Sequence, residues 1–233
     1  MRRKKPFLFC LAVYFWGAFN LFAGDVANFS DFGFSDDGRF YAFSQYGVYE
    51  DSLVPWAELY VVDVARNDFV QGGKIIHKGK NRITAGQDGS DALARAILDN
   101  AELAAMFGLD FLGQGTPLYI SLENGQNPNG ETIEFRDFDN GVSYTAELCP
   151  VVYGSGANLK SSFYIILHRD DGAVMNFTVG SPDIKRSRIS TYTIKKAFTT
   201  PEGKSLIFVI EMMRQRGVGE APDIRYMVET IKF

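Results

Sequence analysis

Two histidines, His77 and His168, are the chain's whole stock of imidazole bases, and Cys149 is its single cysteine beyond residue 10. A thiol nucleophile needs a base beside it. Cys149 lies in Ala-Glu-Leu-Cys-Pro-Val-Val, between apolar neighbours, where a small buried hydrophobe is the expected role. Ser155 stands between Gly154 and Gly156, but the five-residue Gly-x-Ser-x-Gly elbow and the α/β repeat that presents it are both missing. Glu131 and Glu134 are carboxylates whose pairing for glycoside chemistry would have to be spatial. The pairs Asp36/Asp37 and Asp170/Asp171, together with Asp139, stand in glycine turns. Each turn offers one or two carboxylates where calcium needs six to eight oxygens, so turn formation is their expected work. No catalytic residue, metal or other cofactor is nominated.

Binding candidates are easier to find. Tyr46, Tyr49 and Trp56 fall in Ser-Gln-Tyr-Gly-Val-Tyr-Glu-Asp-Ser-Leu-Val-Pro-Trp, which reads as a long loop between strands. Large rings in such a loop are costly to leave in water unless they cover a sheet edge or bind something. The second candidate is Arg214 to Arg225, a glycine-rich loop with charges of both signs, among them Arg214, Arg216, Asp223 and Arg225. The two loops together are expected to form a partner or ligand surface. Lys74, Lys78, Lys80 and Arg82 cluster around His77, and a solvated basic loop is preferred there over an anion-contacting patch.

The elements that must carry these residues are mostly strands. Phe32 and Phe34, the Ser35-Asp36-Asp37-Gly38 turn and Phe40 to Phe43 predict a hairpin, with Asp36 accepting backbone bonds across the turn and Glu58 to Val64 giving a third strand. Asn67 to Val70 predicts a short fourth strand before a glycine-rich loop region over 71–90, with room for a short strand at Lys74 to His77. Asp91 to Phe107 predicts one helix, because Leu93, Ile97, Ala101, Ala104 and Phe107 share a face. Ser90 is placed to cap its start and Gly108 to end it. Its alanines would let it lie close on a sheet or plug one open end. From Gly115 onward the pattern is β: Pro117 to Leu122, a loop at Asn124 to Gly130, hairpins around Asn140-Gly141 and Asp171-Gly172, and three final strands beginning at Ile189, Ser205 and Ile224. Phe198 to Phe208 echoes Phe34 to Phe43 as strand, acidic-glycine-basic turn and strand, a weak internal repeat.

The first 23 residues read differently. Arg2 to Lys5 form a positive n-region ahead of the uncharged, mostly apolar run Phe7 to Phe22, the pattern of a secretory signal with cleavage after Ala23. The alternative is an uncleaved anchor, since 6–24 carries no charge and a bilayer needs about 20 residues. Four of the 24 basic residues lie in this leader and none of the 28 acidic ones, which leaves 20 against 28, a formal net of −8. Such a balance argues against nonspecific contact with nucleic acid or an anionic membrane. With Cys10 in the leader, Cys149 alone remains and no internal disulfide can form.

Phe34-Ser35-Asp36-Asp37-Gly38-Arg39, Ala42-Phe43 and Leu59 to Asp63 together resemble one blade of a TolB-type or prolyl-oligopeptidase-type β-propeller. A full propeller of four or more blades does not fit about 210 residues that also hold a helix and long loops. The chain after its leader also resembles a bacterial family of predicted secreted proteins of unknown function, through this opening, Gln45-Tyr46-Gly47 and Ala221-Pro222-Asp223-Ile224-Arg225-Tyr226-Met227. That resemblance implies export and a shared fold, and brings no activity.

The expectation is therefore a signal peptide over 1–23 and a single, mainly β domain over 24–233. Its antiparallel sheets would form a sandwich or an incomplete propeller-like set, with one packed helix at about 91–107. It would be exported to the periplasm or the outside, touching membrane only through an uncleaved leader. There it would act as a noncatalytic binding or scaffold module for an envelope protein or peptide. The rival is a secreted hydrolase of envelope polymers or peptides.

Overall fold

A computed structural model of the chain describes residues 24–122, 128–217 and 219–233. The leader expected over 1–23 and part of the loop expected over 124–130 lie outside the described residues. In chain order the strands are β1 (Asn28–Ser35), β2 (Phe40–Val48), β3 (Pro55–Asp63) and β4 (Asp68–Lys78), followed by helices α1 (Ser90–Asp99) and α2 (Glu102–Phe107). Then come β5 (Leu109–Asp110), β6 (Thr116–Ile120), β7 (Glu131–Asp137), β8 (Val142–Tyr153), β9 (Lys160–Asp170), β10 (Val174–Ser187), β11 (Ile189–Thr199), β12 (Ser205–Arg214) and β13 (Asp223–Lys232).

These strands make three antiparallel sheets, ordered β4-β3-β2-β1-β5, β10-β9-β8-β7 and β13-β12-β11-β6. The mainly β, antiparallel expectation holds. The third sheet is the middle layer, and the sequence of β12 shows why. Ser-Leu-Ile-Phe-Val-Ile is buried at every position, as a strand covered on both faces must be. Leu206, Phe208 and Ile210 enter a core shared with Ile165, Leu167 and Leu148 of the second sheet. Ile207 and Val209 enter another with Tyr41, Phe43 and Tyr60 of the first. The other face of the first sheet is covered by α1, whose Ala92 and Ala96 lie against Ala57 and Leu59. The alanines let the helix approach closely, as its composition predicts.

Several local expectations need correction. The helix over 91–107 is two helices, because the Asn100 side chain donates to the Ala96 carbonyl at 2.9 Å and a new turn begins at Glu102. Ser90 does not cap the start. Gly89 holds that place with φ 89°, and a Cβ there would stand 2.5 Å from the Gly47 carbonyl oxygen. The strand expected at 67–70 and the first part of the loop expected after it are one strand, β4, which absorbs Gly72 and Gly73 as a bulge between its pairings at Tyr60 and Val62, while 79–89 remain outside any strand.

The echo between the two turns has a spatial counterpart. Both connect the first two strands of a meander, and they meet: a Cβ on Gly38 would lie 2.6 Å from Glu202 Oε2. Phe34 and Phe198 pack edge to face at 6.0 Å. In the first turn it is Asp37, not Asp36, that binds across, accepting from the Arg39 N–H at 3.0 Å and the Ser35 hydroxyl at 2.7 Å.

Because β12 is enclosed by both neighbouring sheets, Phe208→Ala is expected to cost about 3–5 kcal/mol in urea unfolding. Leu98→Ala, on the solvent side of α1, should move stability by less than about 0.5 kcal/mol. Similar losses for the two would contradict the three-layer core.

Candidate functional site

β13 is the last strand of the middle sheet, bonded to β12 on one side and facing outward on the other. An outward strand edge carries a row of N–H and C=O groups that need partners. Here the partners come from three places. Asp25 and Ala27 run alongside the start of β13, with Ile224 N–H donating to the Asp25 carbonyl at 2.8 Å and Ala27 N–H to the Ile224 carbonyl at 3.1 Å. Two residues on, Tyr226 N–H donates to Gln45 Oε1 at 2.8 Å. Further along, Thr230 N–H donates to Asn67 Oδ1 at 2.7 Å.

Each capping amide turns its NH₂ onto a carboxylate. Gln45 Nε2 donates to Glu58 Oε2 at 2.7 Å, and the Tyr60 hydroxyl donates to the same oxygen. Asn67 Nδ2 donates to Glu229 Oε2, while Arg186 stands 3.6 Å from Glu229 Oε1. Asn67 sits in the β3–β4 turn with φ 51°, a left-handed conformation that asparagine tolerates better than most residues. One residue thus makes the turn and docks the first sheet on the third. Glu229 is 5% exposed. Burial raises its carboxyl above the ordinary glutamate value, and the Asn67 bond and Arg186 pull the other way without cancelling it. Burial, and then the neighbouring Glu58 carboxylate, push the Tyr60 hydroxyl far up.

Along this edge runs a trough of about 740 Å³. One wall is the inner face of the first sheet, with Gln45, Glu58, Tyr60 and Lys74, and its rim is the turn from Arg66 to Phe69. The opposite wall is β10, with Gly180, Ser181, Ile184 and Arg186. The rings of Tyr60 and Phe69 lie 5.1 Å apart, and Phe69 is 45% exposed. Lys74 Nζ lies 5.6 Å above the Tyr60 ring. Aromatic faces beside a few convergent polar groups are the composition of a ligand site.

The structure does bring the two loops nominated from sequence together, in a form unlike the expected exposed surface. Residues 46–56 are the end of β2, a short connection and the start of β3, closed by Tyr49 N–H donating to the Val54 carbonyl at 3.0 Å. Tyr46 is half-buried on the face toward α1. Tyr49 packs on Trp56 at 5.8 Å. Trp56 is 1% exposed, with the Arg225 guanidinium 4.4 Å above its ring. Tyr46 and Trp56 belong to strand ends and Tyr49 alone lies in the connection, because the polar connection between the strands is shorter than the composition suggests. The ends of the second loop, Arg214 and Asp223 to Arg225, belong to β12 and β13. Arg216 pairs with Glu50 and Asp51 of the first loop and lies 3.6 Å from Glu220 of its own and 3.7 Å from Asp223 at the start of β13. Asp223 also accepts from the Asp25 N–H at 3.1 Å, and Arg225 stands 3.5 Å from the Asp25 carboxylate. The loop charges are largely spent on one another. Of the seven nominated residues, Arg214 and Arg225 line the trough.

The remaining candidates stay apart. Cys149 is half-buried beside Tyr164 on β9, and burial raises its thiol above the ordinary value. His168 is four residues further along β9, opposite Thr145 and bonded to Asn176. His77 belongs to the first sheet. Glu131 accepts from the Ile194 N–H, tying the second sheet to the third. Lys78, Lys80 and Arg82 border a separate cleft of about 550 Å³ beside α1, with Asp91, Arg95 and Asp99 on its other side. Among the described residues no group of three or more His, Cys, Asp or Glu is placed to hold a metal ion.

Fold and site together define a mainly β domain of three stacked antiparallel meanders, with a polar and aromatic trough along the free edge of the middle one. The chain belongs to the family described as "Predicted secreted protein (DUF2259)", whose sequence model matches residues 42–232. No curated protein and no solved structure matches the chain. The matched span contains Gln45, Glu58, Tyr60, Asn67 and Glu229. Among the described residues no helix is long and apolar enough to cross a membrane.

Missing from the sequence nominations were the two amides and the two carboxylates they hold. The available signals were a charged residue, Glu58, inside the apolar run from Trp56 to Val62, and an asparagine at a hairpin turn. A carboxyl raised by burial is favoured protonated in the folded state, so stability falls as pH rises from the ordinary glutamate value near 4.5 toward the folded one. Glu229→Gln should abolish that part of the fall and be at least as stable as the parent at pH 7 in urea titrations at several pH values. Asn67→Ala strands the Thr230 N–H and a Glu229 oxygen, and should cost about 2–3 kcal/mol at neutral pH.

Proposed function

We propose that the protein is an exported, noncatalytic binding module of the cell envelope whose ligand lies in the trough along β13. The observation that carries this reading is the convergence of all three sheets on one 740 Å³ trough. The first contributes Glu58 and Tyr60, the second Arg186, and the third the edge of β13. In this reading the meanders act as blade-like units whose last strands, β4, β10 and β13, each a sheet edge, border the site. The noncatalytic assignment is supported by the state of the carboxylates: both are held by side-chain amides, a positioning arrangement. Export is supported by the family description and by the positive and apolar character of residues 2–22.

A hydrolase reading draws on one observation, that a carboxyl raised by burial, Glu229, shares a trough with a second carboxylate, Glu58. The two readings separate on Glu58→Gln with Glu229→Gln. A binding module keeps its ligand with reduced affinity, whereas a hydrolase keeps its ligand and loses turnover.

The binding reading is tested by placing a photoreactive phenylalanine at 69 or 184, on opposite rims of the trough, and at 138, an exposed position beyond β7, in cells producing the protein. Discrete adducts from 69 and 184, absent from 138 and suppressed by Tyr60→Ala, are expected. Equal labelling from 138, or none from either rim, would overturn the trough as the binding site.

A further inference from the structure

All three meanders end in a strand that is a sheet edge, and the edges are finished differently. β4 carries the glycine bulge and three lysines or histidines, Lys74, His77 and Lys78. β10 breaks its pairing between Ser181 and Arg186, with Pro182, Asp183 and Lys185 in the gap. Bulges, proline and charge all obstruct strand addition. β13 has no bulge, and its pairing with β12 is regular from Asp223 to Lys232.

Along β13, residues 224, 226 and 230 direct their N–H groups away from β12, as their partners Asp25, Gln45 and Asn67 show. A strand repeats every two residues, so Val228 points its N–H and C=O the same way, into the trough it lines. It stands midway between the two capping amides. The chain itself already uses this edge for main-chain pairing, where Val26 bridges Ile224 in parallel.

Charge says what would enter. The trough is lined by Arg66, Lys74, Arg186, Arg214 and Arg225 against Glu58, Asp68 and Glu229. Arg186 and Arg225 have carboxylate partners. Arg66, Lys74 and Arg214 form no ion pair among the described residues. Against them stand Asp68, which has no ion pair either, and Glu58, which an amide holds without cancelling its charge. The charge left without an ion-pair partner is positive on balance.

We propose that the ligand is an extended acidic peptide segment that adds to the middle sheet by pairing its backbone with Val228, its carboxylates meeting Arg66, Lys74 and Arg214. The proposal rests on the trough being the binding site and names what fills it. About five residues would span Tyr226 to Thr230, and the pairing is the strand-addition mode of peptide recognition.

The test uses the purified protein and a fluorescein-labelled, end-blocked octapeptide of alternating valine and glutamate, with a valine–lysine octapeptide for comparison. Binding is followed by anisotropy, and the site by amide hydrogen exchange and side-chain NMR. The valine–glutamate peptide is expected to bind at least tenfold tighter than the lysine one, with affinity falling as salt is added. It should slow exchange of the Val228 amide more than that of Tyr226 or Thr230, which already have acceptors. Val228→Pro removes an N–H the β12 ladder does not use, and should weaken binding at least tenfold with the β circular dichroism unchanged. Perturbed Tyr60 and Phe69 signals with an unchanged Val228 amide would overturn the backbone pairing and leave the trough reading standing. Equal binding of the lysine peptide would overturn the acidic preference. An unperturbed trough with both peptides would count against this proposal and the trough reading alike.

Discussion

The structure depends on how the outer edge of β13 is satisfied. A sheet buried on both faces has nowhere to put polar side chains except its edges, and the middle sheet reaches its edge at β13. Every outward N–H left dry there would cost about 1–3 kcal/mol. Water cannot reach all of them, because the first and second sheets rise on either side. The chain answers with its own main chain at Ile224 and with side-chain amides at Tyr226 and Thr230. Those amides come from the first sheet. Satisfying the edge and docking two sheets are therefore one event.

The same arrangement explains why carboxylates are buried at the boundary between sheets. An amide that accepts with its oxygen still has an NH₂ to place. Glu58 takes it from Gln45 and Glu229 takes it from Asn67. For Glu229 the compensation is incomplete, since burial still outweighs the Asn67 and Arg186 contributions in setting its proton affinity. Replacing such a group with an apolar residue would remove that penalty and leave Asn67 unsatisfied in turn. The polar network is maintained as a unit because no member can be removed alone. The Arg216 cluster is different in kind. It lies nearer the surface, joins two loops through four carboxylates, and is open to screening by salt.

Much of the fold was legible in the sequence because it is written in local patterns. Asn140-Gly141 and Asp171-Gly172 mark their hairpins, and Leu-Ile-Phe-Val-Ile at 206–210 marks a strand buried on both faces. The alanines of α1 announce a close helix–sheet contact, borne out at Ala92 and Ala96. Errors arose where a side chain overrode periodicity. Asn100 ends a helix whose apolar stripe continues, and the glycines of β4 mark a bulge, not a loop. The site was mostly illegible, because Gln45, Glu58, Asn67 and Glu229 span 185 positions and are joined only by the packing of separate sheets. Trp56 and Arg225 could be singled out as unusual residues, but nothing local says that one lies buried beneath the other.

An edge closed by side-chain amides differs from one closed by a strand in what it leaves available. A paired strand would bury every group on β13 and add apolar surface. A bulge or a proline, as on β4 and β10, would close the edge to all comers. Two amides four residues apart cover two N–H groups and leave one residue between them, with N–H and C=O both facing the trough. So narrow an opening cannot drive indiscriminate strand addition, because one residue offers two backbone bonds, worth only about 0.5–1.5 kcal/mol each. Stable occupancy must draw on the side chains around it. The edge would supply direction and register, while Tyr60, Phe69 and the unpaired cations would supply selectivity. Selection by side chains over a short backbone anchor is what separates a recognition site from an aggregation-prone edge.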